Sequence, residues 1–190
     1  MTPSEQLAAA DPILAEVITA TELIPLQPTG NVFHDLMSCL VEQQIHYRST
    51  KNIFGKAMER AELTELTPGN FEQFEEHGLS KIKLSMRKSE TMLGALDFWK
   101  NAPADWSALT DAEVRKTLQA LPGIGPWTVD MILLHSLERP DVFPVDDYHL
   151  KKAMVRHYDL DPTVRLKPRM REIAKNWQPN RSLAVRYLLA

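Results

Sequence analysis

Cysteine is nearly absent from this sequence of 190 residues: Cys39 is the only one. A single thiol cannot form an internal disulfide framework, and it cannot supply a cysteine-rich zinc or iron–sulfur site. The sequence also has no apolar run long enough to cross a bilayer and no basic-then-apolar leader at its N-terminus. These absences predict a cytoplasmic protein, which would be nucleoid-associated if the source is bacterial.

Excess positive charge is also missing, because 22 Lys and Arg stand against 25 Asp and Glu, a formal net charge of −3. Any nucleic-acid binding must therefore come from local features of the surface. Strand patterns of alternating apolar and polar residues are absent beyond a few positions, whereas apolar residues at helical spacing recur along most of the chain. The sequence predicts an all-α fold.

A short glycine-containing turn joins two predicted helices, Thr110–Ala120 and Pro126–Leu137. The turn, Leu121-Pro-Gly-Ile-Gly125, has room only for a tight hairpin. Gly123 and Gly125 are expected to be the hinges of this turn, because glycine can take positive φ at little cost and leaves backbone amides open to close approach. With Pro126 in the first turn of the next helix, the hairpin is a candidate anion site.

Two adjacent carboxylates, Asp146 and Asp147, precede a predicted helix at Tyr148–His157. Aspartate before a helix is what N-capping alone would produce, so the pair does not by itself indicate chemistry. Gln43 and Gln44 likewise sit at the end of an amphipathic run and are expected to be ordinary polar residues unless a site lies nearby. The cations Arg87 and Lys88 belong to a cluster that is either a solvated face or, beside a cleft, a phosphate contact.

Four motifs together resemble the helix-hairpin-helix DNA glycosylases, in the alkylpurine or 3-methyladenine glycosylase II branch. They cover most of the chain from about Asp11 to its end, and they read LPGIGPWTVDMIL with DVFPVDDYHLKKAM, EQQI at Glu42–Ile45, LSMRK at Leu84–Lys88, and WQPNRS at Trp177–Ser182. A hairpin alone would be a moderate signal, because many DNA-binding proteins use one without catalysis. The spaced aspartate and the terminal motif make the combined resemblance much more specific.

The resemblance implies a two-lobed fold with an active-site cleft between the lobes. It places residues 32–104 in one lobe, residues 1–31 with 105–190 in the other, and the hairpin at 110–138. It also implies that Asp147, twenty residues after Trp127, is the catalytic carboxylate. Asp146 is then expected to cap or orient the following helix.

The base pocket implied by the resemblance comprises Trp127, Met131 and Leu189. Trp127 stands where bifunctional relatives carry the lysine that forms a Schiff base, so this chain is expected to lack lyase activity. Its ring face would attract a cationic alkylated base, although a tryptophan at this point of a helix could equally be core packing. Met131 and Leu189 replace aromatic residues of some relatives, which predicts a more open pocket.

Duplex DNA containing alkylated bases is the expected partner, and a monomer suffices to bind it. By resemblance, Gln44 fills the gap left by a flipped nucleotide while Gln43 and His46 probe the minor groove. The other expected DNA contacts are Gly123, Gly125, Arg87, Lys88 and Arg181. No cofactor is expected beyond a possible monovalent cation at the carbonyls of Leu121 and Ile124.

The function implied is hydrolysis of the N-glycosidic bond of alkylated purines of the 3-methyladenine and 7-methylguanine type, which starts base excision repair. Two alternatives stay open. One is a module that binds damaged DNA without cutting it, and the other is a glycosylase for deaminated or etheno purines.

Overall fold

The computed structural model describes residues 1–26, 28–42 and 52–190, and the regular structure in these ranges is helical, as the sequence predicts. The α-helices are α1 Pro3–Ala10, α2 Pro12–Ala20, α3 Val32–Glu42, α4 Ile53–Arg60, α5 Phe71–Gln73, α6 Met86–Trp99, α7 Asp111–Gln119, α8 Pro126–Met131, α9 Tyr148–Tyr158, α10 Leu166–Ala174 and α11 Arg181–Leu189. None of the helices in the described ranges combines the length and apolar character needed to cross a membrane.

Side-chain caps define where several helices begin. Thr110 and Glu113 form a capping box at α7, in which Glu113 Oε2 accepts from the Thr110 N–H at 2.8 Å. Thr2 and Glu5 form a second box at α1. These pairs satisfy amides that a helix start otherwise leaves without partners, so local sequence sets these boundaries.

Two helices begin with largely polar first turns. Helix α6 starts at Met86, because the Ser85 side chain caps it by accepting from the Lys88 N–H. Helix α10 starts at Leu166, and Pro168 falls within its first turn, where a missing N–H costs nothing. Apolar periodicity alone does not mark where such helices begin.

The chain packs into two compact units, one comprising Met1–Gln27 with Leu133–Ala190 and the other Pro28–Ile132. Residues 105–132, which include the hairpin, lie in the Pro28–Ile132 unit, and the division into lobes at 32–104 stays a prediction. The physical reason is packing within that unit, where α8 contacts α7 and α3 and the hairpin turn lies against α6.

The Pro28–Ile132 unit has an aromatic core. Its rings meet edge to face or stack, as in the Phe33–Trp99 pair at 5.2 Å between centroids and the Trp99–Trp106 pair at 5.4 Å. Edge-to-face and offset-stacked arrangements are the favourable geometries for aromatic pairs. Phe33 lies on α3, and α8 of the hairpin packs against that helix.

The unit that contains both termini is organised around a buried carboxylate, Asp11, which is 6% exposed. Its Oδ1 accepts from the N–H groups of Ile13 and Leu14, each at 3.0 Å, and so caps α2. Its Oδ2 accepts from Tyr158 Oη and Trp177 Nε1, both at 2.8 Å. Four donors compensate the burial of one charge, and they tie α2, α9 and the Trp177 segment together.

Candidate functional site

Asp147, the predicted catalytic residue, is held at the start of α9 and is 5% exposed. Its backbone N–H donates to the Pro144 carbonyl at 2.8 Å, and its Oδ1 accepts from the Leu150 N–H at 2.7 Å. The carboxylate is thus fixed by both its backbone and its side chain. A fixed carboxylate at a helix N-terminus is pre-oriented for electrostatic work.

Asp146 does not cap α9, which corrects one of the two roles expected for it, and its role in orienting the helix stays a prediction. Asp147 takes the N-cap position because its side chain is the one aligned with the amide of the residue three positions later. Asp146 instead pairs with Lys167, and Lys151 Nζ lies 3.9 Å from its Oδ1. The hydrogen bond and charge of Lys167, with further charge from Lys151 and Arg171, hold the pKa of Asp146 below its ordinary value against the opposing effect of desolvation.

The loop that leads to Asp147 is anchored by the WQPNRS motif. Arg181 Nε donates to Asp141 Oδ1 at 2.6 Å, and Arg181 Nη2 donates to Asp141 Oδ2 at 2.8 Å and to its carbonyl at 3.0 Å. This bidentate pair occupies the planar fork of the guanidinium. The structure therefore shows an intramolecular role for Arg181, and its contact with DNA stays a prediction.

Ser182 completes this anchor. Its Oγ donates to the Arg139 carbonyl at 2.5 Å and accepts from the Val142 N–H at 2.9 Å, while its own N–H donates to the Pro140 carbonyl at 3.0 Å. Sequence reasoning missed Asp141 and Ser182 as functional positions. We name the contacts that Arg181 and Ser182 make with residues 139–142 the loop clamp.

Gly123 adopts the left-handed backbone conformation predicted for the hairpin turn, with φ of +89°. A Cβ placed on Gly123 would lie 2.2 Å from Thr91 Oγ1 on α6, so glycine is also required by packing. The turn is closed by the Ile124 N–H, which donates to the Leu121 carbonyl at 3.1 Å, and the Ile124 side chain is 6% exposed. Thr91 is a supporting residue that sequence reasoning did not find.

Gly125, the second expected hinge of the turn, does not use a positive φ. Its φ is −92° and its ψ 170°, which any residue can adopt, and it is the N-cap of α8. A Cβ added there would meet nothing within 4 Å. Its lack of a side chain is therefore not needed for folding but leaves the backbone open to approach by an anion.

The two helices of the hairpin are joined by an ion pair. Arg115 Nη1 on α7 lies 2.7 Å from Asp130 Oδ1 on α8, and Asp130 is 7% exposed. Asp130 is therefore a structural carboxylate of the hairpin. Sequence reasoning gave it no role, because its partner lies on the preceding helix.

The residues expected to form the base pocket have different environments. Trp127 is half-buried on α8, whereas Met131, one turn later, is 3% exposed and belongs to the core. Burial of Met131 leaves it little surface to offer a base. Leu189 is half-buried in the last turn of α11, and its place in a pocket stays a prediction.

Of the two predicted cationic contacts on α6, Arg87 is exposed and Lys88 is half-buried. Lys88 Nζ is directed at the Val41 carbonyl, 3.4 Å away, near the C-terminal end of α3. Desolvation lowers the pKa of Lys88, partly offset by the charge of Glu42. A phosphate contact by Lys88 would compete with this position, whereas Arg87 is accessible.

The remaining predictions concern the DNA-probing loop and a metal. Gln43, Gln44 and His46 lie outside the described residues. The Leu121 carbonyl already accepts one hydrogen bond within the turn and retains a second lone pair, so a monovalent cation at Leu121 and Ile124 stays a prediction. The described part of the chain contains no group of three or more His, Cys, Asp or Glu residues arranged to hold a metal ion.

Comparison with known proteins finds relatives over most of the chain. A putative DNA-3-methyladenine glycosylase of Bacillus subtilis is 30% identical over 86% of this chain, and a DNA-3-methyladenine glycosylase of the same organism is 28% identical over 99%. The matched regions make up 60% and 66% of those two proteins, so the chain spans less than two thirds of the length of either. A scan against protein-family models gave no match.

Solved structures share the fold. A 3-methyladenine DNA glycosylase of Schizosaccharomyces pombe in complex with abasic DNA superposes with a TM-score of 0.81 at 21% identity, covering 100% of this chain and 95% of that one. A DNA-3-methyladenine glycosidase of Bacillus halodurans gives 0.75 at 24% identity, covering 100% and 88%. The all-α architecture expected from the motifs is thereby confirmed.

Proposed function

The chain belongs to the helix-hairpin-helix DNA glycosylases, in their 3-methyladenine branch, and from this membership we propose that it is a monofunctional glycosylase for alkylated purines in duplex DNA. The proposed reaction is hydrolysis of the N-glycosidic bond of 3-methyladenine and 7-methylguanine type lesions. It leaves an abasic site and so starts base excision repair.

One observation carries this proposal: Asp147 is a fixed, largely buried carboxylate at the position that the family motif assigns to catalysis. Its Oδ1 is oriented by the Leu150 N–H, and the loop clamp anchors the loop before it. A carboxylate that serves only as an N-cap needs none of this support from α11. The arrangement supports a role that requires accurate placement of charge.

The chemistry needs a negative charge beside the sugar. As the N-glycosidic bond breaks, its electron pair leaves with the base, and positive charge spreads over C1′ and the ring oxygen. A purine methylated at N3 or N7 is already cationic, so it departs as a neutral molecule without a strong general acid. Asp147 stabilises the developing sugar cation, and the oxygen of a water molecule bonds to C1′ while Asp147 accepts the water's proton.

Trp127 supports the monofunctional assignment. Its indole cannot form the Schiff base that a lysine would form with C1′, so strand cleavage by elimination has no nucleophile at this position. Trp127 is half-buried, so part of its surface is exposed to solvent. We assign it to the pocket wall, where an indole face binds an electron-poor ring more strongly than a neutral one.

Duplex DNA is the proposed substrate, bound by a monomer through backbone amides of the hairpin at Gly123 and Gly125. The open backbone at Gly125 supports this assignment, since a phosphate can approach an amide that no side chain covers. Such contacts fix the position of DNA without a large global positive charge. We also propose a cytoplasmic location, where duplex DNA would be accessible to the protein.

The test is release of free base from a panel of duplexes that carry 3-methyladenine, 7-methylguanine, hypoxanthine or an etheno adduct. Release of the methylated purines supports the proposal, and release confined to hypoxanthine or etheno bases assigns another substrate class. Binding to damaged duplexes with no base release contradicts the enzymatic assignment. A covalent complex trapped by borohydride contradicts the monofunctional one.

A further inference from the structure

Positive charge is strongly concentrated at the C-terminal end of this acidic protein. Residues 148–190 hold 10 of the 22 Lys and Arg but 3 of the 25 Asp and Glu. All of these residues lie in the unit that contains Asp147. An acidic protein that binds a polyanion benefits from such segregation, because local potential governs contact with phosphates.

Part of this charge converges beside the start of α9. Lys151, Lys167 and Arg171 all act on the Asp146 carboxylate, so α9 and α10 bring three cations to one anion. Lys152 is exposed on the same helix as Lys151, with its Nζ 4.7 Å from the centroid of the Tyr148 ring. We name Lys151, Lys152, Lys167 and Arg171 the α9–α10 cationic patch.

The nearby acidic groups do not neutralise this patch. Glu172 pairs with Lys175 at 2.6 Å, and the ion pairs that the described residues form with Lys151 and Lys167 do not include Asp161, whose Oδ1 accepts from the N–H and Oγ1 of Thr163. Asp159 ends α9 and is exposed in the left-handed conformation. Asp146 is therefore the one carboxylate that the described residues bring against Lys151 and Lys167 together, and the patch keeps a net positive charge.

The patch is accessible and lies next to the proposed catalytic carboxylate. Lys152, Lys167 and Arg171 are exposed, and Tyr148, which follows Asp147 directly, is 52% exposed. An ion pair between a lysine or arginine and a carboxylate at a protein surface contributes little net stability. A DNA phosphate can therefore replace Asp146 as the partner of these cations at a small cost in free energy.

From this arrangement we propose that the α9–α10 cationic patch is a second phosphate-binding surface for duplex DNA, separate from the hairpin amides. This inference rests on the proposed function, since it takes DNA as the partner. The hairpin contributes amides, which add no positive charge against the phosphates, whereas the patch contributes charged side chains that displace the counterions of DNA. The patch should consequently add to the salt dependence of binding.

The test is fluorescence anisotropy with a duplex that contains a stable abasic-site analogue, measured over a range of salt concentrations. The variants are Lys152→Ala, Arg171→Ala and the double variant, and the matched control is Lys100→Ala, an exposed lysine paired with Asp97 in the other unit. Each patch variant is expected to weaken binding about 3- to 10-fold, and to reduce the slope of log K against log salt by about 0.9 for each phosphate that the variant no longer neutralises. The control variant should leave the affinity for DNA and the salt slope unchanged.

The inference is overturned if the patch variants bind with the wild-type slope, or if Lys100→Ala weakens binding as much as they do. Base release is also measured under single-turnover conditions at saturating enzyme. This measurement distinguishes failure of the inference about the patch from failure of the proposed function. If the patch variants change binding while the wild-type protein releases no base, the surface stands and the enzymatic assignment fails. If the wild-type protein releases base and the patch variants bind DNA like the wild type, the enzymatic assignment stands and the second phosphate-binding surface is ruled out.

Discussion

Arg181 and Asp141 form a bidentate ion pair across 40 residues of sequence, with both carboxylate oxygens within 2.8 Å of guanidinium nitrogens. Both side chains are 28% exposed, so solvent screens this pair only in part. The pair joins the start of α11 to the loop that precedes Asp147. It links the stability of the terminal unit to the position of the proposed catalytic group.

Breaking the loop clamp should impair catalysis more than it impairs stability. Arg181→Lys keeps the charge but loses the bidentate fork, and we expect it to cost about 1 kcal/mol of unfolding free energy. Single-turnover base release should fall by about tenfold or more, because Asp147 is less well placed. Lys175→Ala, which removes the partner of Glu172 in the same unit, is the control and should leave the rate unchanged. A normal rate in Arg181→Lys would show that the clamp does not position Asp147.

The ion pair should also contribute to acid sensitivity. Desolvation opposes ionisation of Asp141, but the hydrogen bonds and charge of Arg181 prevail and hold the pKa of that carboxyl below its ordinary value. A carboxyl with a depressed folded-state pKa stabilises the protein above its unfolded-state pKa of about 4, and this contribution is lost as the pH falls through the lower folded-state value. We expect the unfolding free energies of wild type and Asp141→Asn to differ by a constant amount above about pH 5 and to converge below about pH 4. Parallel curves down to about pH 2 would contradict this assignment.

The two hairpin glycines should respond differently to alanine. In Gly123→Ala the new Cβ collides with Thr91 and the backbone must hold a left-handed φ, so we expect a loss of about 2 kcal/mol or more in denaturant unfolding. In Gly125→Ala the Cβ enters open space, so stability should change by less than about 0.5 kcal/mol. DNA binding should nevertheless weaken about tenfold, because the methyl group obstructs a phosphate. Unchanged DNA affinity in a stable Gly125→Ala variant would remove this glycine from the binding surface.

The sequence predicted those features that depend on neighbouring residues. The capping box at Thr110, the hairpin turn at Gly123 and the helical class all follow from contacts within a few positions, and the structure contains them. The roles of Asp146 and Asp147 were assigned only in part. Two adjacent aspartates have the same capping propensity, and only the three-dimensional register shows that Asp147 takes the N-cap.

Features that depend on distant partners could not be predicted in this way. Arg181 is predicted to contact DNA by resemblance to the family, and nothing local in the sequence indicates that Asp141 is its partner within the chain. The same holds for Thr91, whose packing makes Gly123 indispensable. In each case the determining contact joins segments that the chain brings together only after folding.

Base release from duplex DNA containing 7-methylguanine, measured for wild type and Asp147→Asn under single-turnover conditions, tests the central claim most directly. Asparagine caps helices about as well as aspartate, so it can keep accepting from the Leu150 N–H while the charge is removed. We predict unfolding free energies within about 0.5 kcal/mol of each other, similar DNA affinity, and base release slower by about 100-fold or more. Equal rates of release from the two proteins would contradict the assignment of Asp147 as the catalytic carboxylate.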